Sequence, residues 1–117
     1  HRCVVVADGF YEWKRESNKK TPFYFLRDDK KMMFIAGIFE DNQFCMITEQ
    51  AAENVNEIHH RQPVILNEKD INSYLNLQLD GSNYLKEANK PKLEFYEISK
   101  DVNKPTNNNI SLIQKIN

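Results

Sequence analysis

The stretch CVVVADGFYEWK, residues 3–14, contains two β-prone runs separated by a turn signal. CVVVA is continuous, apolar and rich in β-branched residues, which is typical of a buried strand. Asp8-Gly9 indicates a turn or a bulge, and FYEWK, residues 10–14, has the composition of a second strand. The stretch therefore predicts two short strands in immediate succession.

The strand pattern continues to residue 47. Apolar or aromatic runs bounded by polar turns recur at short intervals, which is typical of an antiparallel meander or a partly closed barrel. A polar loop at 15–21 leads to a predicted strand at 22–27, with Pro22 at its edge. A charged hairpin turn at 28–31 follows, and the next predicted strands are 32–39 and 44–47.

After residue 47 the pattern changes to short helices. Thr48 is a good N-cap, and Ala51, Val55 and Ile58 share one face of a predicted helix that ends at Pro63. The further predicted elements are a strand at 63–66, a second helix capped by Asn67 with Ile71, Tyr74 and Leu75 on one side, a turn at 80–82, a short helix at 83–88, a last strand at 93–98 and a loop around 107–109. Because no repeat or linker interrupts this order, the sequence predicts one α+β domain with a partly barrel-like β core.

Length and composition limit the class of protein. The 117 residues suit one domain, and a hydrophobic fraction of 40% is enough for a modest core. A formal net charge of -1 argues against a strongly basic protein that coats duplex DNA. No run approaches the roughly 20 apolar residues of a membrane helix, and no secretory signal pattern is present. We expect a soluble cytoplasmic protein, associated with the nucleoid if it is bacterial.

The cysteines and histidines do not have the spacing of a metal site. Cys3 and Cys45 lie in apolar runs, which favours buried free thiols over a disulfide. His59 and His60 are adjacent, His1 is at the far end of the chain, and no Cys-x-x-Cys or His-x-x-x-His pair occurs. The sequence therefore predicts neither a metal nor a cofactor.

Glu12 lies between Tyr11 and Trp13 in the second strand. Strand side chains alternate, so Glu12 shares a face with Phe10 and Lys14, whereas its aromatic neighbours point the other way. Glu12 is either a solvated charge paired with Lys14 or a carboxylate held in a cleft for proton transfer. The sequence leaves both interpretations open.

The run IHHRQP, residues 58–63, provides a second candidate. His59 follows Val55 by four residues, so it would join the inward face of the predicted helix, whereas His60 would face solvent. The C-terminal end of a helix favours a protonated imidazole, which suits a general acid. The alternative is a histidine that is satisfied in the core or that caps the helix.

Basic residues concentrate at 14–20, close in sequence to aromatic residues, and Arg61 follows the two histidines. Basic side chains with stacking rings suit single-stranded nucleic acid. A solvated polar loop is the alternative explanation.

Several of these residues belong to motifs that occur in a set order. The motifs are Arg2-Cys3, ADGFYEW at 7–13, Ile-Ala-Gly at 35–37, the segment 48–66 ending IHHRQPVIL, and Val102-Asn103 with Pro105 and Asn107. In order and spacing the chain resembles, along nearly its whole length, the SRAP family of SOS-response-associated peptidase domains. The resemblance implies a β-rich core with helices around a positively charged cleft. It also implies covalent sensing of abasic sites in single-stranded DNA.

The resemblance also implies roles for individual residues. In the family an N-terminal cysteine attacks the aldehyde of the ring-opened sugar through its α-amine, and its thiol closes a thiazolidine. Each step moves a proton. Glu12 would steer protons around the amine and the sugar, and His59 would protonate the sugar oxygen and assist reversal. Arg61 would contact phosphate, and Trp13, the second DNA-binding candidate, would support the acid's strand or the wall of the cleft.

The chain departs from the family pattern at Val6, Ala52 and Gln62, where the family commonly has Pro, Asn and Met. None of these positions is the matched acid or base. The family domain is nearly twice as long, and its first part carries the nucleophile, a tryptophan-bearing DNA segment and an active-site asparagine. We therefore interpret residues 1–117 as the C-terminal part of one SRAP-like domain.

The start of the chain bears on activity. His1 leads directly into a strand, whereas natural chain starts usually fray, so we expect further residues upstream. Cys3 cannot form a thiazolidine because its amine is in the peptide bond to Arg2. We expect the 117 residues alone to lack crosslinking activity, which in the family is lyase-like although the family name specifies a peptidase.

Three functions are consistent with the sequence. The first is the abasic-site crosslinking protein, and the second is a noncatalytic single-stranded DNA-binding module that uses the same cleft. The third is a small β-rich interaction domain in which Glu12 and His59 are structural. Convergence of these two side chains on one cleft would favour the first two.

Overall fold

The computed structural model describes residues 1–76 and 90–116 of the chain. The strands are β1 (Arg2–Ala7), β2 (Phe10–Glu16), β3 (Lys19–Arg27), β4 (Met33–Glu40), β5 (Gln43–Met46), β6 (Thr48–Gln50), β7 (Arg61–Pro63), β8 (Ile65–Leu66) and β9 (Leu93–Glu97). The helices are α1 (Ile71–Leu75) and the short 3₁₀ helices Val55–Glu57, Glu68–Asp70, Lys100–Asn103 and Ile110–Ile113. All named strand pairs in the described residues are antiparallel, so the predicted α+β class is confirmed.

Two sheets meet at the core. In the first sheet, β4 pairs with β1 through most of its own length. β4 also pairs with β8 near its start and with β5 near its end. In the second, called here the β3 sheet, β3 lies between β2 and β9. Phe25, Met33 and Ile35 from the two sheets share one buried hydrophobic cluster. The first four predicted strands therefore exist, and β3 and β4 supply buried core residues. β1, which the sequence predicts to be a buried strand, is only partly buried and exposes Val6.

The β3 sheet has different aromatic residues on its two faces. On the core face Phe25 packs against Phe10 and Phe95, with ring centroids 4.9 and 5.0 Å apart. On the opposite face Tyr24 lies 5.8 Å from the rings of both Tyr11 and Tyr96. Because side chains alternate along β2, Glu12 points to the same core face as Phe10 and lies at the end of this row of phenylalanines.

The turn between β1 and β2 depends on close packing. A Cβ atom at Gly9 would lie 2.4 Å from the carbonyl oxygen of Phe25 and 2.5 Å from the hydroxyl of Tyr24. Both separations are far below van der Waals contact, so only glycine fits between β3 and the start of β2. The glycine of the ADGFYEW motif is therefore required by packing.

The predicted helix from Thr48 to Pro63 is wrong. Residues 48–50 form β6, which pairs with β7, and the segment 51–60, called here the histidine loop, connects the two strands. The N–H of Ala51 donates to the carbonyl of His60 at 2.9 Å, which closes the loop. Val55 and Ile58 are buried by a single 3₁₀ turn, which also places residues three apart on one side.

Other boundaries differ from the sequence prediction. The predicted polar loop at 15–21 is mostly strand, because β2 and β3 continue to a two-residue turn in which Ser17 has φ 42°. Pro22 is buried within β3 rather than at its edge, and its carbonyl accepts from the N–H of Ile98 at 3.1 Å. Cys3 and Cys45 are free thiols, but Cys45 is exposed rather than buried.

The segment after β8 is only partly as predicted. Asn67 precedes the 3₁₀ turn Glu68–Asp70, which leads directly into α1. Tyr74 is buried and donates its hydroxyl proton to the carbonyl of Gly37 at 2.7 Å, whereas Leu75 is exposed. The predicted turn at 80–82 and helix at 83–88 lie outside the described residues. No helix in the described parts of the chain has the length and apolar character needed to cross a membrane.

Candidate active site

Glu12 lies on β2, which pairs with a single strand, β3, in the described residues. Its carboxylate is fixed at one end, because Oε1 accepts the backbone N–H of Trp13 at 3.1 Å. The other oxygen, Oε2, lies 3.9 Å from Nδ1 of His59. The side chains of Glu12 and His59 are both 29% exposed, so the pair is partly shielded but open to a reactant.

His59 is placed so that its ring can take or give a proton without turning. Nδ1 lies 3.1 Å from the backbone N–H of Arg61 and 3.1 Å from its carbonyl oxygen. A neutral ring with bare Nδ1 accepts from that N–H, whereas a ring protonated at Nδ1 donates to the carbonyl. Nε2 forms no hydrogen bond within residues 1–76 and 90–116, which leaves it for a reactant.

The histidine loop is anchored at several points. The N–H of His59 donates to the carbonyl of Val55 at 3.0 Å. Buried Gln62 accepts the N–H of Ala52 at 2.9 Å through Oε1. Asn54 donates from Nδ2 to the carbonyl of Leu93 at 2.9 Å, which ties the loop to β9 of the sheet that carries Glu12. These contacts position His59, and the predicted helix is not needed for it.

Arg61 lies two residues after His59 at the start of β7 and is exposed. Its Nη2 donates to the carbonyl of Thr48 at 2.9 Å and to the Thr48 hydroxyl at 3.2 Å. The remaining guanidinium donors make no hydrogen bond in the described parts of the chain. The side chain is therefore oriented by β6 while several donors stay available for an anion.

Trp13 is not brought to the Glu12–His59 pair. It lies on the opposite face of the β3 sheet, where its indole Nε1 donates to Oδ1 of Asn103 at 2.7 Å. The ammonium of Lys20, one of the basic residues at 14–20, lies 5.5 Å from the ring centroid. Trp13 therefore contacts Asn103 and Lys20 and not the Glu12–His59 pair.

Two side chains with defined contacts, Asn103 and Thr48, have roles in the structure that the sequence analysis did not predict. Asn103 lies in the motif Val102-Asn103 with Pro105 and Asn107, and these neighbours are the sequence signal for this turn. Thr48 was interpreted as a helix cap, whereas it orients Arg61. His60 is exposed and stacks on His59 with ring centroids 4.7 Å apart.

The described residues hold no group of three or more His, Cys, Asp and Glu side chains arranged to bind a metal ion. A carboxylate and an imidazole that share a small, half-open space can act as general acid and general base.

Residues 1–105 match the family described as SOS response associated peptidase, SRAP. The abasic site processing protein YoqW of Bacillus subtilis is 32% identical over 127 residues, which covers 97% of this chain and 57% of that protein. YedK of Escherichia coli, also named an abasic site processing protein, is 30% identical over 132 residues, with 98% and 58% coverage.

A crystal structure of a protein from Bacteroides thetaiotaomicron is similar with a TM-score of 0.82 and 26% identity, covering 98% of this chain and 56% of that one. A protein from Bordetella bronchiseptica, at TM-score 0.67 and 21% identity, shares the fold over 84% of this chain. The chain thus spans little more than half the length of these bacterial relatives. Because the family match extends over 105 of the 117 residues, the chain belongs to the SRAP family.

Proposed function

We propose that Glu12 and His59 are the acid–base pair of an abasic-site processing reaction on single-stranded DNA. The observation that carries this proposal is the 3.9 Å approach of Glu12 Oε2 to His59 Nδ1, between residues far apart in sequence. The names of the relatives YoqW and YedK support the choice of reaction, because both are abasic site processing proteins.

The chemistry requires several proton transfers. The sugar at an abasic site opens to an aldehyde, an amine adds to give a carbinolamine, and loss of water gives an iminium. A thiol then adds to the iminium carbon and loses its proton, which closes a thiazolidine. Glu12 is suited to accept a proton from the amine, and His59 to protonate the sugar oxygen and to assist the reverse reaction.

The attacking amine and thiol must belong to an N-terminal cysteine. Cys3 cannot supply them, because its nitrogen is in the peptide bond to Arg2 and its backbone lies in β1 paired with Gly37 of β4. In this proposal residues 1–117 form the C-terminal part of one SRAP domain, and the cysteine comes from outside them. The activity is then lyase-like, and the peptidase of the family name is not part of the proposal.

DNA is held by phosphate contacts near the pair. Arg61 is suited to this, because Thr48 orients its guanidinium while other donors remain available. Trp13 lies on the opposite face of the β3 sheet, so its part in DNA binding is indirect, through support of the strand that carries Glu12.

The proposal is tested by incubating the full-length protein that contains these residues with a single-stranded oligonucleotide bearing one abasic site. We expect a covalent adduct that survives heating in denaturant. It should be absent with an intact oligonucleotide and lost when methoxyamine blocks the aldehyde. The 117 residues alone should form no such adduct.

Two outcomes would contradict the proposal. Tight binding of abasic DNA without any adduct would instead support a noncatalytic single-stranded DNA-binding module. An adduct formed by the 117 residues alone would show that the nucleophile is not an N-terminal cysteine from outside them. A duplex carrying the same abasic site tests strand preference and should react more slowly.

A further inference from the structure

We infer that Asn103 is a positioning residue for Glu12 and acts through Trp13. The inference rests on the proposed function of the Glu12–His59 pair. Asn103 Oδ1 accepts the indole Nε1–H of Trp13 at 2.7 Å, and the backbone N–H of Trp13 is donated to Oε1 of Glu12 at 3.1 Å. A continuous series of contacts therefore leads from the turn Lys100–Asn103 to the carboxylate.

The turn that carries Asn103 is attached to the sheet directly beside Trp13. Trp13 pairs with Pro22 across β2 and β3, and the carbonyl of Pro22 accepts from the N–H of Ile98 at 3.1 Å. The chain then turns through Lys100–Asn103 and returns to the indole. These contacts form a closed loop, so the position of Asn103 is set by the same strand that Trp13 pairs with.

The shape of the turn does not depend on the Asn103 side chain. Ser99 Oγ accepts the N–H of Asp101 at 3.1 Å. Asn107 donates from Nδ2 to the carbonyl of Asp101 at 2.8 Å, and its own N–H donates to the carbonyl of Lys104 at 2.9 Å. Other residues thus build the turn, and the Asn103 amide is left to hold Trp13.

Glu12 needs such support because β2 pairs with a single strand, β3, in the described residues. Its peptide groups are therefore less constrained than those of β3. The Trp13 indole is held by Asn103 and by the ammonium of Lys20. Release of the indole would let the Trp13 N–H turn and would carry the Glu12 carboxylate away from His59.

Asn103 lies on the opposite face of the sheet from Glu12, so its effect should be on the rate and not on DNA binding. A displacement of about 1 Å in a reacting group can cost about 10²-fold in rate. We expect Asn103→Ala to slow adduct formation at saturating DNA by about 10- to 100-fold while the Kd for abasic DNA stays unchanged.

The test uses the full-length protein and four variants. Asn103→Ala removes the acceptor, Asn103→Asp restores an acceptor, and Trp13→Phe keeps a ring but removes the donor. Asn108→Ala is the matched control, because Asn108 is an exposed asparagine in the same segment with no hydrogen bond in the described residues. Thermal melting shows that each variant is folded before rates are compared.

Two readouts are measured for each variant. One is the single-turnover rate with the Kd, and the other is the NMR resonance of the Glu12 carboxyl carbon, identified by its loss in Glu12→Gln. We expect Asn103→Ala and Trp13→Phe to lower the rate and shift this resonance. Asn103→Asp should recover both, and Asn108→Ala should change neither.

Each outcome decides the matter. An unshifted Glu12 resonance in Asn103→Ala overturns the inference, whatever the rate. A wild-type rate in Asn103→Ala overturns it as well, while leaving the proposed function in place. If the wild-type protein forms no adduct, the proposed function fails and only the structural link from Asn103 to Glu12 can stand, as read from the resonance.

Discussion

The carboxylate of Glu12 and the imidazole of His59 face each other across 3.9 Å, with 29% of each side chain exposed. When His59 is protonated, a partly exposed pair of this kind contributes only about 0–1 kcal/mol to stability. Two oppositely charged side chains elsewhere on the surface would give the same small gain in stability. Backbone donors and acceptors hold both groups, as the proposed acid–base role requires.

Replacement of His59 separates catalysis from binding. In the full-length protein, His59→Ala should slow both adduct formation and its reversal. Each rate should fall by about 10²–10⁴-fold, because the acid that protonates the sugar oxygen during ring opening is lost, and with it the base that takes this proton back in the reverse step. The Kd for abasic DNA should change little. The matched control is His60→Ala, since His60 is exposed and stacks on His59 without facing Glu12. Equal loss in both variants would contradict the assigned role.

Replacement of Arg61 should act on affinity. Arg61→Ala removes an oriented guanidinium, so the Kd for single-stranded DNA should rise and the slope of log K against log salt should fall by about 0.7. The measurement is a titration at several salt concentrations. Arg15→Ala, an exposed arginine at the end of β2, serves as control and should leave the slope nearly unchanged. A full slope in Arg61→Ala would show that Arg61 does not contact phosphate.

Among the elements, the strands were largely predictable and the histidine loop was not. β1 and β4 are apolar runs that pair with each other, so local composition predicted both strands. The burial predicted for β1 is wrong, because its residues are only partly buried and Val6 is 58% exposed. In the segment 48–63, Val55 and Ile58 have spacing that fits a helix and a 3₁₀ turn equally. The pairing of β6 with β7 favours the 3₁₀ turn over the helix, and a pattern in the local sequence does not show this pairing.

The two site residues were predicted by arguments of different quality. Strand alternation predicted that Glu12 shares one face of β2 with Phe10, which is confirmed, and it left open whether that face is covered. His59 was placed inward by a helix that does not exist, and it reaches Glu12 because Val55, Asn54 and Gln62 hold the loop. The long-range hydrogen bond from Asn54 to Leu93 has no signature in the sequence.

The turn between β1 and β2 makes a prediction about stability. Gly9→Ala would place a Cβ 2.4 Å from the Phe25 carbonyl oxygen, so β2 or β3 must shift. We expect the free energy of unfolding to fall by about 1–3 kcal/mol. At Gly37 the nearest atoms, Cys3 Sγ and the Cys45 carbonyl oxygen, are both at 3.0 Å, so Gly37→Ala should cost less. Denaturant titration of both variants checks the order, and the reverse order would contradict this packing.

The tyrosine face of the β3 sheet makes a prediction about alkaline pH. Burial, and to a smaller extent the carboxylate of Asp8, raises the pKa of Tyr24 above its ordinary value of 10.0. The folded state therefore keeps Tyr24 neutral where the unfolded chain ionises. This contribution to stability is complete below pH 10 and is lost as the pH rises from about 10 through the raised folded pKa.

Tyr24→Phe removes this titration. The loss of unfolding free energy above pH 10 should become shallower in the variant, by at most about 1.4 kcal/mol per pH unit. Tyr11→Phe, at an exposed position of the same tyrosine row, is the matched control. Denaturation curves at pH 8 and pH 11 make the comparison. An unchanged pH dependence in Tyr24→Phe would show that Tyr24 is not the responsible group.

In the whole molecule, the Glu12–His59 pair forms only when two segments that are distant in sequence come together. Glu12 belongs to the β3 sheet, and His59 to a loop between β6 and β7. Asn54 links the loop to β9, and Asn103 links β2 to the turn after β9. Both anchors converge on the β3 sheet, so unfolding of β9 should remove both supports of the acid–base pair.

In the proposed function, the Glu12 carboxylate transfers protons at an abasic site. The most direct measurement is the single-turnover rate of adduct formation by full-length Glu12→Gln at saturating abasic single-stranded DNA. Glutamine keeps the shape and can still accept the Trp13 N–H, and Glu16→Gln on the exposed end of β2 is the control. We predict a rate about 10²–10⁴-fold below wild type with an unchanged Kd. A wild-type rate in Glu12→Gln would contradict the claim.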